Sequence, residues 1–237
     1  MHFTPPLLRG RLIQRYKRFL CDIELENGES VTAHCPNPGS MLSLAAPGFE
    51  VWLSPASNPK RKLKYTLELV HAGNALVGVN TARPNGLVES AIESGKIPEL
   101  SGYGNLRREV RYGEKSRIDI LLSDENLADC YVEVKSVTLR RNPEEEPGMA
   151  EFPDSVTARG TRHLGELIHM VEAGHRAVML YLVQRGDCTR FQVANDIDPA
   201  YGEAFKAARA QGVEILCYAC HITPERIELG ETVALAE

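Results

Sequence analysis

No stretch of the 237-residue chain stays apolar for the ~20 residues a membrane-crossing helix needs. Its first residues, M-H-F-T-P-P, lack the charged-then-apolar layout of a secretory signal, and the two absences together point to the cytoplasm. There is no glycine-rich phosphate loop and no nucleophile elbow, so no small-molecule fingerprint marks the chain. No helix-turn-helix or other groove reader is visible, which argues against a transcription regulator that reads base sequence. Repeats and low-complexity segments are missing too, and Glu144–Glu146 is only a short acidic loop. An excess of positive charge is also lacking. The formal net charge of −5 argues against a simple basic DNA-coating protein.

What is present is ordinary in bulk and uneven in placement. Hydrophobic residues make up 43% and charged residues 25%, as in a soluble globular protein, and the length suits one large or two small domains. Residues 1–82 carry nine Lys or Arg against six Asp or Glu, whereas residues 83–237 carry eighteen against twenty-six. The positive charge of the first part is clustered: Arg9, Arg11, Arg15, Lys17 and Arg18 in one run, Lys60, Arg61, Lys62 and Lys64 in another. A basic first part beside an acidic remainder suggests a phosphate-facing surface next to a metal-binding one. Arg11, Arg15, Lys17, Arg18, Arg61 and Lys62 are the candidate DNA contacts. A solvated face is the plainer reading of such runs.

The first 82 residues read as a small barrel. Residues 7–19 mix β-formers with basic residues in one long, curved strand. Residues 21–25 and 30–33 bracket the turn Asn27-Gly28, a hairpin signal. Residues 51–53, 66–70 and 76–79 supply further short strands with turn-rich links between them. Five or six short strands with little helix fit an OB-type barrel, whose grooves bind single strands through cations and aromatic platforms. Tyr16, Phe19, Trp52 and Tyr65 lie near the basic runs, although most aromatics in so small a barrel belong to its core. Residues 81–86 read as a turn and the domain boundary.

The remainder, residues 83–237, alternates helices and strands. A short helix is expected over 87–94, ended by Gly95, and a strand carrying Glu109 over 107–112. The stretch 116–135 then holds two apolar runs, 118–122 and 131–134, each with an acid where a buried strand should not tolerate one: Asp119 and Glu133. Lys135 follows Glu133 by two residues, so on a strand both project from the same face. Pairing of the two strands would bring Asp119 to them. Carboxylates converging beside an ammonium are costly to bury, and a divalent metal gives them a purpose. The plainer reading is a pair of half-buried strands whose charges pair at a sheet edge. A later helix is expected from an N-cap at Ser155 to a stop at Gly174, with Leu164, Leu167, Ile168 and Val171 as its apolar stripe. Arg159, Arg162, His163 and Glu166 lie mostly off that stripe. A strand over 177–183, a helix capped by Asp198-Pro199 and ended by Gly212, and a strand over 213–219 complete the chain.

An Asp followed by Glu-x-Lys on neighbouring strands resembles the metal-dependent nuclease core written PD-(D/E)xK. That resemblance implies one Mg²⁺ or Mn²⁺ held by Asp119, Glu133 and the Val134 carbonyl, with Glu109 as a further carboxylate and Glu89 as a weaker one. Lys135 would orient and help deprotonate the attacking water. A cation of the later helix would approach the scissile phosphate, Arg162 first and Arg159 next; an Arg162–Glu166 ion pair on a solvated face is the alternative.

A wider resemblance rests on five stretches in one order. These are P-P-L-L-R-G-R-L-I-Q-R-Y-K-R-F-L (5–20), H-C-P-N-P-G-S-M (34–41), S-R-I-D (116–119), Y-V-E-V-K-S-V-T-L (131–139) and F-P-D-S-V-T-A-R-G-T-R-H-L-G-E-L (152–167). Together they resemble the sugar fermentation stimulation protein A family of bacteria and archaea, from the N-terminus to about residue 216. The resemblance implies an α/β (α+β) protein with an N-terminal OB-like barrel and a nuclease-like α/β domain. It also implies binding of DNA without sequence preference and a link to the regulation of sugar, notably maltose, metabolism. Two departures stand out: N-P-G at Pro38 where N-T-G is usual, and a longer, more acidic linker over 140–150. The functional expectation is a non-specific DNA-binding protein with an intact nuclease-type site; the alternative is an active Mg²⁺- or Mn²⁺-dependent DNA nuclease.

Six cysteines are scattered along the chain. Cys217–His221 reads C-Y-A-C-H and matches the haem-attachment pattern. It lies in a strand-like run and lacks the export signal that such chemistry requires, so core cysteines are the reading ahead of a metal site or haem.

Overall fold

The computed structural model describes residues 1–113 and 116–236. Strands β1 (Leu8–Tyr16), β2 (Leu20–Leu25), β3 (Ser30–His34), β4 (Glu50–Pro55) and β5 (Tyr65–Ala72) pair in the order β3-β2-β1-β4-β5. A pairing of His34 with Thr66 returns β5 to β3 and closes a five-stranded OB-type barrel, from which β6 (Ala75–Gly78) extends as a hairpin. Alternate residues Leu12, Ile23, Leu53 and Leu67 point inward and form its core. Gly10 lets β1 and β2 approach closely: a Cβ there would lie 2.7 Å from the Glu24 carbonyl and from Ile23. The strand expected over 7–19 stops at Tyr16, because Lys17 and Arg18 take left-handed backbone (φ 47° and 65°) and turn the chain into β2.

The second unit is a mixed six-stranded sheet with helices on both faces. Its elements are α1 (Pro84–Glu93), β7 (Asn105–Tyr112), β8 (Ser116–Asp124), β9 (Leu127–Val137), β10 (Met149–Phe152), α2 (Ala158–Glu172), β11 (Arg176–Val183), β12 (Arg190–Val193), α3 (Pro199–Ala210), β13 (Glu214–Ile222), β14 (Ile227–Thr232) and β15 (Ala234–Leu235). The sheet order is β14-β13-β11-β9-β8-β7, with β9, β11 and β13 parallel and the edges antiparallel. Strand β11 is buried along almost its whole length, as a central parallel strand should be. Helix α1 packs on one face through Leu87, Val88 and Ala91. Helices α2 and α3 cover the other through Leu164, Leu167, Tyr201 and Phe205. Strands β10, β12 and β15 form a small separate sheet.

Several boundaries differ from the sequence expectation for identifiable reasons. Helix α1 begins at Pro84 rather than Leu87, since proline lacks the N–H that a first helical residue would leave unpaired. The α2 cap is Thr157, whose hydroxyl accepts from Gly160 N–H, and not Ser155, whose hydroxyl is spent on Asp154. Residues 1–3, expected with the barrel, lie against the second unit: Phe3 N–H donates to Glu225 and Ile227 N–H to Met1. All six cysteines are free and buried. Cys217 packs on the α2–α3 face of the sheet and Cys220 on the α1 face, so the two thiols cannot share a ligand. Burial pushes both up to about 12, which suits inert core thiols.

Three polar contacts stand out among those that join the barrel to the second unit. Gly78 N–H of β6 donates to the Gln184 carbonyl just after β11. Glu68 of β5, 1% exposed, takes both guanidinium edges of Arg83 (2.6 and 3.1 Å), the Asn80 amide and the Ser54 hydroxyl. Asp154 accepts from Met41 N–H (3.0 Å) and Ser40 Oγ (3.2 Å), and Gly39 lies so close that a Cβ there would meet the carboxylate at 2.5 Å. Glu68→Ala would strand the Arg83 charge and two further donors, at a cost of about 3 kcal/mol. Arg108→Ala, which breaks a half-exposed pair with Glu89, should cost at most about 1 kcal/mol. Guanidinium unfolding of the two variants checks the contrast. In the same assay Gly39→Ala should lose about 1–2 kcal/mol, since Asp154 must release Met41. Gly165→Ala, with open space around its Cβ inside α2, should gain about 0.5–1 kcal/mol.

Candidate functional site

Strands β8 and β9 pair from Leu122 and Cys130 up to Ile120 and Val132, and there the ladder ends. One residue further, the strands have separated enough to free the Val134 N–H. The Asp119 carboxylate takes it at 2.8 Å, while its other oxygen accepts from the Asn85 amide at the start of α1, also at 2.8 Å. Asp119 is therefore held from two elements at the point where its strand parts from its neighbour. Val132 and Val134 point into the α1-side core, so the alternation of β9 sends Glu133 and Lys135 to the opposite face, under α2.

Glu133 is 2% exposed. Its Oε1 accepts from Lys135 Nζ at 2.7 Å and also contacts His163 Nδ1 of α2, while Oε2 has no hydrogen-bond partner. Arg159, one turn earlier on α2, donates from Nε to His163 Nε2 at 3.2 Å. Burial pushes the Glu133 carboxyl up, but the His163 hydrogen bond and the Lys135 charge outweigh it and hold the group below its ordinary value. Asp119 goes the other way. Burial first, then the Glu133 charge, raises it despite the Val134 and Asn85 hydrogen bonds.

These side chains line a cleft of about 280 Å³ with walls from both units. Asn37, Pro38 and Thr81 come from the barrel side, Asn85 from α1, Asp119, Glu133, Val134 and Lys135 from the sheet, and Asp154, Arg159 and His163 from α2 and the segment before it. Asp119, Glu133, Val134 and Lys135, all named from sequence, thus meet in one place.

Other sequence candidates lie elsewhere. Glu109 stands opposite Asp119 in register, but its left-handed backbone (φ 53°) drops it from the ladder and its side chain is exposed outside the cleft. Among the described residues no three His, Cys, Asp or Glu side chains cluster as a ready metal site. Glu89 is spent on Arg108. Arg162 is exposed and outside the cleft wall, and it makes no ion pair with Glu166 among the described residues; Arg159, the second choice, takes the cleft position. His163 and Asn85 were missed. The first looked like an off-stripe polar residue, and the second lay in an assumed turn.

The barrel cations divide in the same way. Arg15 is not free for phosphate: its guanidinium donates to the Asn37, Gly39 and Ser40 carbonyls (2.9–3.0 Å) and pins the loop that walls the cleft. Arg11 contacts Glu50 (3.7 Å) and the Gly48 carbonyl, with its side chain 64% exposed. Lys17 and Arg18 are exposed in the β1–β2 turn. Lys62 lines a groove of about 580 Å³ with Lys64, Tyr65, Leu20, Val31 and Thr32, and half-buried Arg61 lies near His34. Trp52 is 9% exposed and packs in the α1-side core, with Arg9 over its ring at 5.8 Å.

The chain matches the sugar fermentation stimulation protein RE domain over residues 82–226 and the SfsA N-terminal OB domain over residues 13–79. It is 56% identical over 232 residues to a sugar fermentation stimulation protein homolog of Ruegeria sp. (strain TM1040), covering 98% of each chain. The homolog of Paramagnetospirillum magneticum is 54% identical over 235 residues, 99% of this chain and 98% of that one. The structure of Pyrococcus furiosus SfsA in complex with Ca²⁺ superposes with a TM-score of 0.89 at 27% identity, over 100% of this chain and 98% of that one. By sequence along its whole length and by fold, this chain belongs to the sugar fermentation stimulation protein family.

Proposed function

We propose that the protein binds DNA without sequence preference and hydrolyses its phosphodiester backbone at the barrel–sheet cleft with the help of one divalent cation. The observation that carries this reading is the unpartnered Glu133 Oε2. A carboxylate oxygen buried without a donor, in one cleft with a second carboxylate whose proton affinity is raised by burial and then by the Glu133 charge, fits a cation. Asp119, Glu133 and the Val134 carbonyl would hold it, and an all-oxygen set suits Mg²⁺ or Mn²⁺, as it does the Ca²⁺ present with the Pyrococcus furiosus relative. When bound, such an ion polarises the scissile phosphate and steadies the leaving oxygen.

The chain's own groups supply the rest. Lys135 Nζ, tethered to Glu133, directs its remaining N–H donors toward the attacking water and offsets the charge that grows on the phosphate. Arg159 commits Nε to His163 and keeps its terminal nitrogens for a phosphate oxygen. On the barrel, the Lys62–Tyr65 groove between β2–β3 and the β4–β5 loop lies where OB-type barrels take single strands, with cations beside an aromatic ring. A cytoplasmic DNA enzyme of this kind would affect sugar genes indirectly.

Single- and double-stranded DNA incubated with EDTA, Mg²⁺ or Mn²⁺ tests the reading, scoring retardation and cleavage together. Cleavage should require metal and fall by about 100-fold or more in a Glu133→Ala, Lys135→Ala double variant that still retards DNA. Lys62→Ala should weaken retardation alike across sequences and lower the slope of log affinity against log salt by about 1. Retardation without cleavage under every metal would leave a binding protein on a nuclease scaffold. Loss of both sinks the proposal.

A further inference from the structure

We infer that His163 is a positioning residue: it clamps Glu133 by Oε1 so that Oε2 is the carboxylate oxygen left for a divalent cation. The inference rests on the metal reading of the same cleft and adds the device that prepares it. His163 is 3% exposed on α2, pressed between Glu133 below and Arg159 one turn away. Arginine has only donors, so Nε2, 3.2 Å from Arg159 Nε, must accept. Lys135 Nζ also lies 3.3 Å from Nδ1, but Glu133 Oε1 is its nearer acceptor, so the ring proton is assigned to Nδ1, which donates to the same Oε1. Lys135 Nζ occupies the other lone pair of the same oxygen at 2.7 Å.

Two donors on Oε1 and none on Oε2 is a lopsided arrangement for a carboxylate this deeply buried. A merely structural histidine would have no reason to leave the second oxygen bare. A clamp would, because with Oε1 holding two donors the side chain is kept in place and Oε2 stays the one unpaired oxygen. Arg159 locks the tautomer that makes the clamp a donor. It also ties the clamp to a group lining the cleft, so phosphate arriving at Arg159 and metal arriving at Glu133 meet one rigid unit. Outer partners of this kind set metal affinity as much as the ligands themselves.

The test measures Mn²⁺ binding to the whole protein without DNA, from the electron paramagnetic resonance of free Mn²⁺, with Ca²⁺ calorimetry in parallel. His163→Leu should weaken Mn²⁺ by about 10- to 100-fold, with near-ultraviolet dichroism unchanged. His163→Asn, whose amide nitrogen falls close to the Nδ1 position, should recover most of the affinity. If the leucine variant does not fold, His163→Gln replaces it, since its amide lies one bond too far to reproduce Nδ1. Equal Mn²⁺ affinity in wild type and leucine variant, or equal loss in the asparagine and leucine (or glutamine) variants, overturns the clamp and leaves a structural histidine. A wild-type protein that takes up neither Mn²⁺ nor Ca²⁺ overturns the metal reading and the clamp with it. Metal binding without cleavage leaves the clamp standing and removes only the hydrolytic part of the proposed function.

Discussion

Two negative charges forced together under a sheet are the constraint around which the second unit is arranged. Asp119 and Glu133 meet where β8 and β9 part, and burial first, then the Glu133 charge, raises the proton affinity of Asp119. Every polar group nearby offsets that cost. The Val134 N–H and the Asn85 amide hold Asp119, and Lys135 and His163 hold Glu133. The compensation is complete for three of the four oxygens and absent for the last. An apolar pair of the same volume is often no worse for stability alone, so the cost sits well with the cation site proposed above.

The barrel is part of this arrangement, not an appendage. Glu68 of β5 grips Arg83, the residue before α1, and so fixes where that helix begins; Asn85 in its first turn then reaches Asp119. On the other side Arg15 shapes the Asn37–Ser40 loop by its carbonyls, and Asp154 clasps the same loop through Ser40 and Met41. The motif N-P-G-S-M is thus read by two units at once. The proline at position 38 stands on the cleft wall and donates no hydrogen bond there, so the loop is held by its neighbours.

Features that depend on local pattern were legible in the sequence. Alternation and turn residues located all the barrel strands, and the Asp and Glu-x-Lys spacing located three of the charged groups that meet in the cleft. Features that depend on which side of an element faces what were not. His163 sits beside Leu164 and Leu167 on the buried side of α2, yet a polar ring there looks like the edge of a solvated face until the carboxylate below it is known. Glu109 had the right register and the wrong backbone conformation, which no spacing rule reveals. Arg15 looked like a phosphate contact because the orphan carbonyls of a loop twenty-odd residues away leave no mark on a basic run. Arg162 and Arg159 differ by three positions on a helix, and only the placement of α2 on the sheet decides between them.

The same sorting bears on the polyanion proposed as the partner of a chain of net charge −5. Several arginines are already committed: Arg9 to Glu26 and Glu50, Arg83 to Glu68, Arg140 and Arg185 to Asp187, Arg141 to Glu151 and Asp196, Arg176 to Glu214. In the acidic linker over 140–150, Arg141 joins that internal network and Glu146 accepts from Gln192. Lys17, Arg18, Arg61 and Lys62 form no ion pair among the described residues, and all four belong to the barrel. Within about one Debye length a phosphate feels these local charges far more than the total. Among the described residues unpaired cations occur on both units, Arg107, Arg111 and Arg117 of β7 and β8 among them, but only the barrel carries more basic residues than acids, and it also walls the carboxylate cleft.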